Sequence, residues 1–242
     1  MRATTRRDAR WFYVGVVSFV MLFTLAAFGP SLIDPSTRSV PLPLTPWVLT
    51  HTAISTAWLL LFLAQTTLVA TGRTRIHRRL GISGGVIAAA LVATGPLMMI
   101  EEARRGFDLS GDLVPRGSSQ TAGAALIVVN AFVLFGLLVA GAFWYRRHPE
   151  VHKRLMMLAI LGPLIGAPLA HFVGHWPVPG FILPVATIGF LAIQPLHDRL
   201  VAGRVHPVSL WGGLLVFAWF NVFFLAIAPT EGWNRFAEWL VR

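Results

Sequence analysis

Seven apolar stretches, each of about 20 residues, constrain the fold of this chain more than any other feature. They run over 11–33, 47–71, 80–101, 120–145, 155–174, 178–196 and 208–229. A helix of about 20 mostly apolar residues crosses the roughly 30 Å hydrocarbon layer of a bilayer. Of the 242 residues, 55% are hydrophobic and 12% are charged, which is more apolar than a soluble domain of this length requires. The sequence therefore predicts an all-α bundle of seven transmembrane helices.

The placement of charged residues predicts the orientation of this bundle. With the N-terminus in the cytoplasm, the inner segments hold 14 of the 20 Lys and Arg residues, and the outer segments hold seven of the ten Asp and Glu residues. Short cytoplasmic loops are enriched in Lys and Arg. We therefore expect a multi-pass protein of a bacterial inner membrane with its C-terminus outside. Membrane topology explains the net charge of +10 without nucleic acid as a partner.

The last twelve residues, 231–242, follow the seventh apolar stretch and read EGWNRFAEWLVR. On a helix, Trp233, Phe236 and Leu240 share one face, while Arg235 and Glu238 lie away from it. This pattern is typical of an amphipathic helix lying at a membrane surface. We expect it on the outer side.

Three tetrapeptides of the form H-x-R-L lie where apolar stretches reach the inner face, at 77–80, 152–155 and 197–200. One hypothesis is that they gather there and bind an anionic group, such as a lipid phosphate or a haem propionate. The residues of this predicted anion site are His77, Arg78, Arg79, His152, Lys153, Arg154, His197 and Arg199. The alternative is that the basic residues only set the orientation while the histidines cap helix ends.

Two histidines inside the apolar stretches, His51 and His171, are candidate cofactor ligands. Both lie about one helical turn inside the predicted outer surface, and ionisable residues at membrane depth tend to face an interior. Two histidines at similar depth on different helices fit the axial ligands of a haem b. With His175 and Glu101 they also provide imidazole and carboxylate ligands for a divalent metal. The alternative is that these histidines are hydrogen-bonded structural residues.

Other chemistries are excluded or incomplete. The chain has no cysteine, which excludes disulfides and thiolate ligands. Lys153 is the only lysine and lies in an inner loop, so a retinal Schiff base in the seventh helix is excluded. Ser55 and His51 are a possible nucleophile and base, but no third member of a catalytic triad accompanies them. Whether the protein is an enzyme is left open.

A resemblance rests on the segments HTAISTAWLLLFLAQTTLVATGRTRIHRRLG, HPEVHKRLMMLA and GRVHPVSLWGG. There the chain resembles a group of uncharacterised bacterial polytopic membrane proteins. More loosely, a helical His followed by a basic His-Arg-x-x-Gly segment is similar to membrane b-type cytochromes and ferric-reductase-like proteins. Those families stack two His pairs along two helices, whereas His51 and His77 lie at opposite faces here. The resemblance therefore implies one haem at most.

Two functions remain open at this point. The first is a redox-type membrane protein that binds haem b or a divalent metal at the outer histidines. The second is a non-enzymatic transporter, or an accessory subunit that packs against other membrane protein subunits. Membrane lipids are expected partners in both.

Overall fold

The computed structural model describes residues 2–38, 43–108, 114–115, 121–175 and 182–242, with side chains for 11–38, 43–107, 121–172 and 182–242. The fold of this part is all-α. The helices are α1 (Arg2–Ile33), α2 (Pro46–Ala70), α3 (Thr74–Arg104), α4 (Ala122–Leu126), α5 (Val129–Trp144), α6 (Pro149–Ala159), α7 (Ile165–His175), α8 (Ile182–Ala202), α9 (Pro207–Val222) and α10 (Glu231–Val241). A two-residue antiparallel pair, β1 (Phe107–Asp108) with β2 (Val114–Pro115), follows α3.

Six helical stretches of the described residues are long and apolar enough to cross a membrane. They are Trp11–Ile33, Pro46–Ala70, Thr74–Arg104, Ala122–Trp144, Pro149–Phe172 and Pro207–Ile227. Each coincides with one of the seven predicted stretches, so the chain is a multi-pass membrane protein. Two of them begin earlier than predicted, at Thr74 and Pro149, because the basic segments are themselves helical. Hydropathy marks only the lipid-embedded part of a helix, and arginine is a good helix former in water.

The remaining predicted stretch, 178–196, corresponds to α8. This helix has 21 residues and continues to Ala202, while residues 178–181 lie outside the described part of the chain. Its last two turns carry Asp198 and Arg199. It is not among the six stretches above.

The helical stretch Pro149–Phe172 occupies the centre of the bundle. In its most apolar window 56% of the residues are buried, against 11% in Pro207–Ile227. The residues from Met157 to Leu161 are almost completely buried. The stretch packs against α5, α8 and α9 through α6 and the following turn, and α7 packs against α1 and α8.

Two π-helical segments interrupt the otherwise α-helical spans. Ile160–Leu164 joins α6 to α7 and contains Pro163, while Phe223–Ile227 extends α9. Proline has no backbone N–H to donate and its ring displaces the preceding turn, which accounts for the irregular turn at Pro163. At Gly162 an added Cβ would lie 2.6 Å from Val216 Cγ1, so α9 approaches the backbone closely at this segment.

The C-terminal helix α10 packs against α4 and the outer end of α3. The Trp233 indole N–H donates to the Gly123 carbonyl at 2.9 Å, and the Arg104 guanidinium donates to the Leu240 carbonyl at 2.9 Å. Ala237 is fully buried, whereas Phe236 and Trp239 are 49% and 64% exposed. The predicted amphipathic helix is therefore present, with two stacked aromatic rings on its exposed side.

Two glycines of α3 give a test of the packing. An added Cβ at Gly95 would overlap the Phe132 ring, whereas one at Gly81 would have no atom within 4 Å. Overpacking of a core costs about 1–3 kcal/mol, so Gly95→Ala is expected to lower the melting temperature in detergent by several degrees. Gly81→Ala, the control on the same helix, is expected to leave it unchanged or raised. Equal melting temperatures, measured by tryptophan fluorescence, would contradict this packing of α3 against α5.

Candidate functional site

His51 lies in the N-terminal half of α2, predicted to be the outer half, and faces α3 and α5. Its Nδ1 is 3.2 Å from Thr94 Oγ1, and its Nε2 is 3.2 Å from Ser55 Oγ. The edge of the ring packs against Phe132, with the centroids 5.4 Å apart. The imidazole is therefore enclosed between two hydroxyl groups and one aromatic ring.

The hydrogen bond of the Thr94 hydroxyl to its own helix favours one tautomer of His51. The hydroxyl donates its own proton to the Ala90 carbonyl at 2.8 Å, so towards His51 it acts as an acceptor. His51 then donates through Nδ1–H, and its Nε2 lone pair accepts from Ser55. A histidine ligand is commonly held in this way, with one ring N–H fixed by a neighbour and the other nitrogen available. A cofactor at Nε2 would have to displace the Ser55 hydroxyl from this position.

The other predicted ligands have different surroundings. His171 lies on α7 and contacts Phe28 on α1, with ring centroids 5.1 Å apart. The Glu101 side chain is 39% exposed and lies 3.8 Å from Arg104, and the side chain of His175 is outside the described residues. Among the side chains that the structure describes, no group of three His, Asp or Glu residues is close enough to hold a metal. The shared ligand site of His51 and His171 stays a prediction.

Glu102, rather than Glu101, is the buried carboxylate at the end of α3. It is fully buried, accepts from the Thr45 hydroxyl at 2.6 Å and accepts from Arg105 at 2.8 and 3.0 Å. Thr45 also caps α2 by accepting from the Val48 N–H. The cluster therefore fastens the first turn of α2 to the last turn of α3.

A buried polar cluster among the described residues lies at the ends of α6, α8 and α9 that the charge pattern predicts to be on the inner side. Arg154 donates to Asp198 at 2.5 and 3.2 Å, and both side chains are at most 6% exposed. Ser209 donates to Asp198 at 2.5 Å and accepts from Arg154 and Gln194 at 3.1 and 3.0 Å. Arg154 also donates to the Glu150 carboxylate at 2.6 Å. We call these five residues the inner polar cluster.

Helical spacing explains how the cluster is assembled. Gln194 and Asp198 are four residues apart on α8, as are Glu150 and Arg154 on α6, so each pair shares one face of its helix. The sequence indicated Arg154 only as an anion ligand and Gln194 as a residue that could join helices by hydrogen bonds, but it did not indicate Asp198 or Ser209. Two features of the sequence could have indicated the cluster. They are the i, i+4 spacing of Glu150 and Arg154 and the rarity of acidic residues on the predicted inner side.

His206 connects the cluster to the beginning of α9. Its backbone N–H donates to Asp198 at 3.2 Å, and its Nδ1 accepts from the Val208 N–H at 3.2 Å. Partial burial, and next the positive charge of Arg154, lower the pKa of His206. A neutral imidazole is the form that can accept this capping hydrogen bond.

Several buried polar atoms beside the cluster have no hydrogen-bond partner among the described residues. They are Gln194 Oε1, Tyr13 Oη and both ring nitrogens of His197. The His197 ring stacks on Phe12 at 3.7 Å and contacts the Tyr13 ring at 5.6 Å. Lys153 Nζ lies 5.6 Å from the Tyr13 centroid. The polar region therefore extends from α6 and α8 to α1.

The three H-x-R-L segments lie on two sides of α6. His77 and His152 meet, with ring centroids 6.3 Å apart, and His152 is 2.8 Å from the Ala142 carbonyl through Nδ1. His197 lies instead beside Phe12 and Tyr13. Lys153 and Arg154 pair with carboxylates, whereas the other cations of the predicted anion site, Arg78, Arg79 and Arg199, are exposed.

Comparisons of the chain with protein-family models, with curated proteins and with solved structures find no match. The resemblance to b-type cytochromes and ferric-reductase-like proteins accordingly stays a prediction. The site is interpreted from its own geometry.

The hypothesis that His51 binds a cofactor can be tested by optical spectroscopy. If Nε2 binds haem, detergent-purified protein shows a Soret band that shifts on reduction with dithionite. His51→Ala is then expected to abolish the band, while His77→Ala, at the opposite end of the bundle, keeps it. A flat spectrum together with no stoichiometric metal would contradict His51 as a ligand.

Proposed function

We propose that the protein is a seven-span transporter of a bacterial inner membrane, in which the inner polar cluster is the proton-binding centre. The observation that carries the proposal is the burial of the Arg154–Asp198 pair at the inner end of the bundle. Buried ionisable residues are costly, and in a membrane protein they are candidates for an ion or proton pathway. In this proposal α8 also crosses the membrane, as the sixth span in chain order, and the N-terminus is cytoplasmic.

The cluster supplies a continuous hydrogen-bonded chain from water to the interior. The Glu150 side chain is 61% exposed and bonds to Arg154, which bonds to the buried Asp198. Ser209 links Asp198 to Gln194, which is fully buried. In this proposal the proton reaches Asp198 from the exposed end of the cluster near Glu150, and Arg154, which has no acceptor atom and keeps its own proton, does not carry it.

Protonation of Asp198 would change the ion pair and the hydrogen bonds of the cluster. As a carboxylate, Asp198 holds Arg154 and Ser209. As a neutral acid it no longer offers Arg154 an ionic partner, and the guanidinium is left with Glu150. The two protonation states thus favour two arrangements of α6 against α8, which is the bistable element that a transport cycle requires.

Irregular backbone lies on two of the three helices that carry the cluster. The π segment Ile160–Leu164 begins six residues after Arg154, and Phe223–Ile227 ends the span that carries Ser209. π segments inside α-helices are frequent at functional sites, and interrupted helices are typical of transporter binding regions. Both features support movement of α6 and α9 rather than a static bundle.

The topology can be tested because the chain has no native cysteine. Single cysteines at Arg204 and Arg235, both exposed positions, are to be labelled with a membrane-impermeant maleimide in spheroplasts. With α8 as a span, Arg235→Cys reacts in intact spheroplasts and Arg204→Cys reacts only after permeabilisation. Arg147→Cys, in the α5–α6 loop, is the inner-side control. The opposite pattern for 204 and 235 would mean that α8 does not cross the membrane.

Proton transport can be tested in liposomes that contain a pH-sensitive dye. Under an inward proton gradient, wild-type proteoliposomes are expected to acidify faster than empty liposomes. Asp198→Asn keeps the side-chain size but cannot take up a proton, so its rate is expected to fall by about tenfold or more, equivalent to about 1.4 kcal/mol in the barrier. Glu231→Gln, an exposed residue on α10, is the control.

Two outcomes would contradict the proposal. The first is a wild-type rate equal to that of empty liposomes. The second is an Asp198→Asn rate equal to wild type. Size-exclusion profiles and melting temperatures of both variants separate a loss of proton uptake from a loss of folding.

A second candidate function is a redox-type protein that binds haem b or a metal, and the tautomer of His51 supports it. In that case His51 holds the group through Nε2 and Thr94 fixes the ring orientation. The bound group would supply the electron-transfer chemistry. The optical spectrum described above separates the two candidates, because a proton transporter of this kind is colourless.

A further inference from the structure

The exposed surface of the α2–α3 hairpin carries a shallow apolar groove with a volume of about 450 Å³. It is lined by Leu60, Leu63, Ala64, Thr67 and Leu68 of α2 and by Ile76 and Leu80 of α3. The one hydroxyl in this lining, that of Thr67, donates to the Leu63 carbonyl at 2.8 Å. The groove therefore offers a hydrocarbon surface without a free hydrogen-bonding side chain.

Four arginines lie at the inner end of this groove. Arg73, Arg75, Arg78 and Arg79 are all exposed, and residues 35–100 contain no Asp or Glu. Within the described parts of the chain, none of the four has a carboxylate at ion-pair distance. This concentration of positive charge is therefore not neutralised by the side chains that the structure describes.

The turn between α2 and α3 fixes the arginines relative to the groove. Gly72 has a φ of +78°, a conformation that glycine adopts without strain. The Gly72 N–H donates to Val69 at 3.1 Å, and the Arg73 N–H donates to Leu68 at 2.8 Å. Arg73, the residue before α3, and Arg79 lie three residues before and after Ile76, and this spacing places them on either side of this groove residue.

We propose that the α2–α3 hairpin binds one anionic phospholipid, with an acyl chain in the groove and its phosphate on Arg73 and Arg79. A hydrocarbon-lined groove that ends at an unneutralised basic cluster matches the two halves of such a lipid. A zwitterionic lipid can place an acyl chain in the same groove, but the four positive charges attract its headgroup less strongly. The proposal does not depend on the transport function, because it uses none of the inner polar cluster.

Native mass spectrometry of the detergent-purified protein tests the site. The protein is incubated with equal amounts of phosphatidylglycerol and phosphatidylcholine that carry identical acyl chains. The wild type is expected to retain one phosphatidylglycerol in preference to phosphatidylcholine. Arg73→Gln with Arg79→Gln is expected to lower this preference by about tenfold. Ala64→Phe, which fills the groove without changing the charge, is expected to lower retention of both lipids.

The matched control removes two other exposed arginines on the same side, by Arg146→Gln with Arg147→Gln. If this control lowers the preference as much as the hairpin variant, the attraction is diffuse and the site is wrong. Displacement of the lipid by millimolar inorganic phosphate would mean that the arginines bind a free anion instead. A dimer that is lost in Ala64→Phe would mean that a second copy of the chain fills the groove.

Discussion

A guanidinium group can leave water at the end of a helix bundle only if a carboxylate accompanies it, and the pairing of Arg154 with Asp198 meets this condition. A buried charge without a partner costs several kcal/mol. Ser209 accepts from Arg154 and donates to Asp198, and Gln194 in turn donates to Ser209. The relative positions of α6, α8 and α9 depend on this one interaction, because each helix supplies a residue that the others require. It also gives α8 a defined place in the bundle that its hydropathy alone would not.

At the other end of the bundle, buried polar groups are also paired, but by different residues. Glu102 is buried against Thr45 and Arg105, and His51 is held by Thr94. Between the two polar ends the core is apolar, from Trp58 and Phe135 to Leu158 and Leu161. Lipid gives helices little hydrophobic reason to associate with one another, so close packing and polar links of this kind specify which helices meet.

The membrane-spanning helices could be predicted from the sequence because hydropathy and length are local properties. The pairing of Arg154 with Asp198 could not, because the two residues are 44 positions apart and which face of α8 meets α6 is a tertiary property. Helical spacing did contain a signal for Glu102. It continues the buried stripe of α3 formed by Gly84, Ala88, Leu91, Gly95 and Met99, whereas Glu101 does not.

The π segment in the central span determines which neighbours its two halves meet. An α-helix turns by about 100° per residue, and a π turn holds one residue more than an α turn. The face of α7 that carries His171 and Phe172, and contacts α1, is therefore rotated by about 100° from the continuation of α6. The number of residues between Ile160 and Leu164, more than their identity, fixes this rotation. A one-residue deletion in this segment would consequently turn one half of the span away from its partners.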